Sequence, residues 1–200
     1  MLETPSIPHY RRVVRGGVHN GDNVTGADNQ QERLAELRGW VIGFVDGEGC
    51  FSVSFLRQPR RAEHGGGTGF QVFHEFVVTQ GERSVDALHE LREYFGVGQV
   101  IANRRYDDHR EHLYRYVVRR REDLLGTVIP FFRQHPLRTA KRHDFAKFVT
   151  CVELVAGGRH RTHEGLLEIV RVVETMNRRK PRPELVRILR DHTPDTRDSG

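Results

Sequence analysis

The sequence predicts an α+β domain in the order αββαββα, with four antiparallel strands and helices on one face of the sheet. Three observations lead there. The hydrophobic period switches between helical and alternating at defined points along the chain. The strands come as two hairpins separated by a helix, which builds an antiparallel sheet rather than a parallel one. The outward strand positions carry hydroxyl, amide and charged side chains, so one sheet face is left open for a partner.

Each element follows from its own pattern. Residues 1–28 hold four Gly and two Pro with no apolar period and read as a flexible N-terminal arm. Asn29 followed by Glu32 has the form of a capping pair, and Leu34, Leu37, Val41, Phe44 and Val45 then recur at helical spacing, giving a helix to about Asp46. Phe51, Val53 and Phe55 alternate with Ser52, Ser54 and Leu56 as a half-buried strand. A second strand is expected over Phe70 to Thr79, after a glycine-rich tip at Gly65 to Gly69. Val85, Leu88, Leu91 and Phe95 place a helix over Ser84 to Phe95, stopped by Gly96. Gln99 to Asn103 and Leu113 to Arg119 form the second hairpin. Helices follow over Glu122 to Phe132, Thr139 to Val155 and Thr162 to Met176, so the domain spans 29–177. A short helix over Pro183 to Arg190 and a polar tail fill 178–200.

Composition narrows the function. The 200 residues carry a net charge of +5, with a pI near 9.6. Seven Arg stand against three acids between Asn103 and Arg121. A polyanion is the natural partner. No apolar run approaches a membrane span and no leader precedes the domain, so a soluble, cytoplasmic protein is expected, nucleoid-associated when bound to DNA. Nothing calls for a small-molecule substrate. Cys50 and Cys151 are too far apart for a metal knuckle and read as reduced thiols. None of the 12 His completes a HExxH motif, which excludes that zinc chemistry.

The chemistry concentrates in the first helix. Gly39, Gly43 and Gly47 lie four residues apart along one side, and each mid-helix Gly costs about 1 kcal/mol relative to Ala. Close approach of a second helix backbone offsets that cost, which points to a helix pair about a two-fold axis. Asp46 and Glu48 follow, two carboxylates inside an apolar stretch of a basic protein. Carboxylates beside a polyanion require an intervening cation, and hard oxygen donors suit Mg²⁺. Such a site fits phosphodiester hydrolysis.

The stretch Val41 to Gly49, VIGFVDGEG, resembles the signature of the LAGLIDADG homing endonucleases, with Trp40 before it and CFSVSF after it. The resemblance continues through VTQ at Val78 to Gln80, FGVGQV at Phe95 to Val100, PFF at Pro130 to Phe132 and PLRTAKRHDF at Pro136 to Phe145, covering roughly residues 33 to 177. It implies that Glu48, at the eighth place of the motif where many members have Asp, binds the metal and is the essential catalytic residue. Asp46, at the sixth place, takes a structural role. Gly43 and Gly47 fall where two motif helices pack. Gln80 matches the strand Gln, and Lys141 the helix-opening Lys, that order water at the scissile phosphate, with Arg142 or Arg138 as substitutes for the lysine.

One copy of the motif is present in these residues, so the resemblance implies a C2 homodimer with Gly39, Trp40, Gly43, Phe44 and Gly47 at its interface. The implied activity is site-specific, double-strand cleavage of a long pseudo-palindromic DNA target with Mg²⁺, for which Mn²⁺ can substitute. Base reading falls to the open sheet face: Ser52, Ser54, Leu56 and Gln58, then Gln71, Phe73 and Glu75, then Asn103, Arg105, Arg115 and Arg119. Arg57, Arg60 and Arg61 are expected on phosphates, and Arg138 and Arg142 are further DNA-binding candidates. The alternative is a nuclease-silent DNA-binding regulator, or an RNA-splicing maturase, on the same scaffold. A generic Arg-rich RNA binder leaves the spaced glycines unexplained.

Overall fold

The computed structural model describes residues 25–58, 68–103, 112–177, 181 and 183–191. The expected arm before Thr25, the hairpin tip at 65–67 and the tail after Asp191 lie outside the described residues. Helix α1 runs Thr25–Glu48 and strand β1 follows at once, Gly49–Arg57. The helix therefore starts four residues before Asn29, and the Asn29–Glu32 pair lies inside it rather than at its start. Residues 29–36 are all exposed, and a solvated helical extension needs no apolar stripe to propagate.

The rest of the sheet comes from β2 (Phe70–Gly81), β3 (Gln99–Asn103) and β4 (Leu113–Val118). Helix α2 (Val85–Phe95) separates the hairpins and ends on Gly96 in the left-handed conformation, φ 66°. The sheet order is β1-β2-β4-β3, antiparallel throughout. Register puts Phe51 opposite Phe76 and Val78 beside Tyr116, so these side chains share the covered face. The same register puts Ser52, Ser54, Leu56, Glu75, Phe73, Gln71 and Arg115 on the other.

Phe51 is the hub of the core. It is fully buried and meets Phe76 (5.1 Å between ring centroids), Phe145 (5.1 Å), Phe148 (5.4 Å) and Phe132 (5.9 Å). These rings come from one neighbouring strand and from the helices packed on the sheet. Their edge-to-face and offset contacts contribute beyond simple area burial.

The helix expected over Glu122 to Phe132 is present but not regular. α3 (Arg121–Asp123) passes into a π-helical turn over Leu124–Val128 and then α4 (Ile129–Gln134). Pro130 accounts for the change: it lacks an N–H, and its ring crowds the carbonyl four residues back, at Gly126. The wider turn keeps Leu124, Val128, Ile129 and Phe132 facing the core.

Helices α5 (Lys141–Ala156) and α6 (His163–Glu174) close the domain, and α7 (Pro183–Asp191) follows. Phe145, Phe148, Val149 and Val152 are buried on α5, as their spacing predicts. Thr162 caps α6 by accepting a hydrogen bond from the Gly165 N–H at 3.1 Å. Asn177 then pins the chain: its N–H donates to Asp144 Oδ1 (2.9 Å) and its Nδ2 to the Phe51 carbonyl (3.1 Å). The second bond satisfies a main-chain acceptor on edge strand β1. No helix among the described residues is long and apolar enough to cross a membrane.

Candidate functional site

The end of α1 is where the sequence-predicted residues come together. Gly49 begins β1 with no intervening loop, and a Cβ there would lie 2.7 Å from both the Val45 carbonyl oxygen and its Cγ1. Only glycine fits that turn. It leaves Glu48 exposed at the helix terminus, one residue before the strand that lines the open sheet face.

The two motif carboxylates have different surroundings. Asp46 Oδ2 accepts from the backbone N–H of Arg138 (2.8 Å), and Oδ1 accepts from the Thr139 hydroxyl (2.6 Å). The Thr139 N–H is shared between the two oxygens at 3.1 and 3.2 Å. Asp46 is thus consumed in clamping the loop before α5. Burial pushes its carboxyl pKa up, but the bonds from Thr139 and Arg138 and the nearby Lys141 charge outweigh it and hold the pKa below the usual value. Among the described residues no hydrogen bond or ion pair engages the Glu48 carboxylate. That difference agrees with the roles the motif implies.

Thr139 also presents its hydroxyl to the Lys141 N–H at 3.2 Å, so the clamp fixes the first turn of α5. Lys141 Nζ then donates to the carbonyls of Val45 (2.9 Å) and Gly47 (3.0 Å). Those carbonyls are left over at the end of α1, where the helix dipole is negative, and a cation is favourable there. Burial pushes the Lys141 pKa down, while Asp46, Cys50 and Glu48 oppose the shift. Of the three basic candidates, Lys141 is the one whose side chain touches the residue next to Glu48. Arg138 and Arg142 are exposed, with Arg138 contributing its backbone N–H to Asp46 and Arg142 Nε meeting His143 Nε2 at 3.5 Å.

Gln80 lies at the end of β2. Because Gly49 pairs with Val78, the strand carries Gln80 past the start of β1, alongside the α1 terminus. It shares the parity of Phe76 and Val78, on the helix-facing side, but beyond the core. Thr139, which binds both Asp46 and the first turn of α5, is the contact at this site that sequence reasoning does not single out. Its only signal is its place within PLRTAKRHDF.

The glycine stripe is open. A Cβ at Gly39, Gly43 or Gly47 would meet nothing within 4 Å, so no part of the described chain occupies that side of α1. Trp40 and Phe44 stack at 5.1 Å beside the stripe and are half-buried against the chain's own core. Val41 and Val45 are fully buried on the opposite side.

The open sheet face carries the remaining residues. Ser54 is paired with Phe73, Leu56 with Gln71 and Ser52 with Glu75. Leu56 and Phe73 are 55% and 41% exposed, so two large apolar side chains stand in solvent among polar ones. Gln58 Nε2 donates to Gln71 Oε1 at 2.7 Å. Asn103, Arg115 and Arg119 fall on the same face by register, with Asn103 at its far edge on β3. Arg57 is exposed where β1 ends. Arg60, Arg61 and Arg105 lie outside the described residues.

Metal binding by one chain has a limit set by its donors. Among the described residues no group of three or more His, Cys, Asp or Glu side chains could hold a metal ion. The uncommitted Glu48 still fits Mg²⁺, which takes one or two carboxylates and completes its shell with water and phosphate oxygens. A second Glu48, brought by a partner across the glycine face, would supply the other carboxylate.

Comparison with known proteins bears on all of this. The family model described as "LAGLIDADG endonuclease" matches residues 41–152. A Podospora anserina protein, the "uncharacterized 50.9 kDa protein in ND4 intron 1", is 30% identical over 132 residues, 64% of this chain and 27% of that relative. The chain spans about a quarter of the length of this and two further fungal relatives. Among solved structures, a homing endonuclease, I-TnaI, is 38% identical with a TM-score of 0.63, covering 77% of this chain and 96% of that one. The I-SmaMI LAGLIDADG homing endonuclease bound to cleaved DNA is 28% identical with a TM-score of 0.61, covering 72% and 45% respectively. By motif, sheet topology and family match together, this chain belongs to the LAGLIDADG endonuclease family.

Proposed function

We propose that the protein is a site-specific, double-strand DNA endonuclease that acts as a homodimer with Mg²⁺, Mn²⁺ substituting. The observation that carries this reading is the division of labour at the end of α1. Asp46 is saturated by hydrogen bonds, and Glu48 is exposed and, among the described residues, free of them beside an open glycine face. The DNA-bound I-SmaMI structure supports nucleic acid as the partner.

In this reading two α1 helices pack through Gly39, Gly43 and Gly47, with Trp40 and Phe44 at the rim, and place two Glu48 carboxylates together. When bound there, the metal supplies Lewis-acid activation of the phosphate and of an attacking water. The protein's own groups do the rest. Glu48 and its symmetry mate hold the divalent ions. Lys141, anchored on the Val45 and Gly47 carbonyls, keeps a fixed positive charge one residue away from each Glu48. Gln80 offers an amide, both donor and acceptor, for orienting water. Two open sheets flank this centre and lie in the major groove of the two half-sites. Leu56 and Phe73 suit thymine methyl groups, while Ser, Gln and Arg side chains suit base edges.

A selection from randomised duplex DNA, scored for binding and for cutting with and without Mg²⁺, tests the proposal. Metal-dependent cleavage of both strands at a selected two-fold site is expected. Selection of a site that is bound but never cut assigns the chain to the nuclease-silent regulator instead. Failure to select any duplex, with RNA retained, points to the maturase reading.

A further inference from the structure

Among the described residues of the open sheet face, two arginines, Arg115 and Arg119, flank one carboxylate, Glu75 on β2. Glu75 Oε1 receives Arg115 Nη2 and Oε2 receives Arg119 Nε, each at 2.8 Å. Register explains the geometry. The β2–β4 ladder ends at Phe76–Val118, so positions 75 and 119 lie one step beyond it, whereas Arg115 lies opposite Thr79. The link from Glu75 to Arg115 therefore crosses the Val77–Val117 pair, and those valines are 5% and 2% exposed on an otherwise solvated face. Arg115 is laid flat over them. Arg119 is held through Nε, and among the described residues no hydrogen bond engages its two terminal nitrogens.

We propose that Glu75 is a positioning residue for base recognition: it fixes Arg119 end-on for a guanine and Arg115 flat across the sheet, setting specificity on one flank of the target. A guanidinium locked by a carboxylate loses less rotamer freedom on forming its bidentate bond to guanine O6 and N7. The same carboxylate offsets one of the two positive charges, so the pair adds less indiscriminate attraction for phosphate than two free arginines would. Glu75 lies five residues from Gln80, about 17 Å along an extended strand, so this reading concerns a base pair flanking the cleavage centre. The inference rests on the DNA-endonuclease proposal and adds a specificity role to it.

The test compares wild type, Glu75→Gln and Arg119→Ala in selections from randomised duplex DNA at two salt concentrations. Wild type is expected to require guanine at one position of each half-site, and Arg119→Ala to lose that requirement. Glu75→Gln keeps the shape but replaces one acceptor with a donor. It is expected to weaken the guanine preference at that same position by roughly 5- to 150-fold. Its binding to non-target DNA should hold or rise, and the slope of log K against log salt should steepen by up to ~0.9. A merely structural contact would move neither the base preference nor the slope. The proposal is overturned if Glu75→Gln retains the wild-type preference at every position, or relaxes a position different from the one Arg119→Ala relaxes. A wild type with no base preference at all overturns the parent reading, and this one with it. That result is distinct from a selective wild type that Glu75→Gln leaves unchanged.

Discussion

Replacing Asp46 with Asn separates a structural carboxylate from a catalytic one. Two backbone N–H groups and a hydroxyl converge on Asp46, with distances from 2.6 to 3.2 Å. The Thr139 hydroxyl can turn to accept from the new amide, but one backbone N–H is left facing a donor. Hydrogen bonds to a charged acceptor are worth roughly 1.5–3 kcal/mol each, and Asp46 is half-buried, so a loss of about 2 kcal/mol is expected. For a domain of this size that corresponds to a fall in Tm of roughly 4–8 °C. Thermal unfolding should be followed at fixed protein concentration, since dimer formation adds to apparent stability. The pH dependence has a definite sign. The folded-state pKa of Asp46 is held below its usual 3.8, so the clamp contributes fully above that value and fades as pH falls through the lower, folded-state pKa. The gap between wild type and Asp46→Asn should therefore be full at pH 7 and narrow once the solution is well below pH 4. An equal Tm for the two proteins at pH 7, or a gap unchanged in strong acid, would refute the clamp.

Three further outcomes are expected. Gly43→Leu should leave circular dichroism intact, because none of the described residues occupies that space, yet sediment as a monomer; an unaltered dimer would rule out packing through the stripe. Phe51→Ala removes the ring on which four others converge and should cost about 3–5 kcal/mol in denaturant unfolding, with a loss under ~1 kcal/mol contradicting its place at the hub. Lys141→Met should lower the single-turnover cleavage rate by roughly 10²- to 10³-fold with DNA affinity changed only slightly. A rate near wild type would show that the ammonium beside Glu48 has no part in the chemistry.

What the sequence made legible was whatever rests on period and local chemistry. Alternation at Phe51, Val53 and Phe55 located β1 and its covered face, and Gly96 marked the end of α2. Strand parity put Ser52, Glu75 and Arg115 on a common face. The start of α1 was hidden because residues 29–36 are solvated and carry no stripe. The π-helical turn was hidden because a proline inside an apolar run signals a break without saying how it is absorbed. Contacts between distant segments were also out of reach. That Asp46 meets Arg138 and Thr139 depends on how the loop before α5 docks against α1, and the same docking brings Lys141 onto the Val45 and Gly47 carbonyls. The Glu75 bridge to Arg115 and Arg119 needed the β2–β4 register, which no single strand encodes.

Glu48 is the residue on which the functional reading turns, and its substitution by Gln is the most direct measurement. The variant should be assayed for strand cleavage with Mg²⁺ on the selected DNA target, with binding and Tm followed in parallel. Cleavage should fall by at least ~10²-fold while affinity and Tm stay near wild type, since no hydrogen bond within the described chain depends on that carboxylate. Cleavage persisting at the wild-type rate would contradict the account.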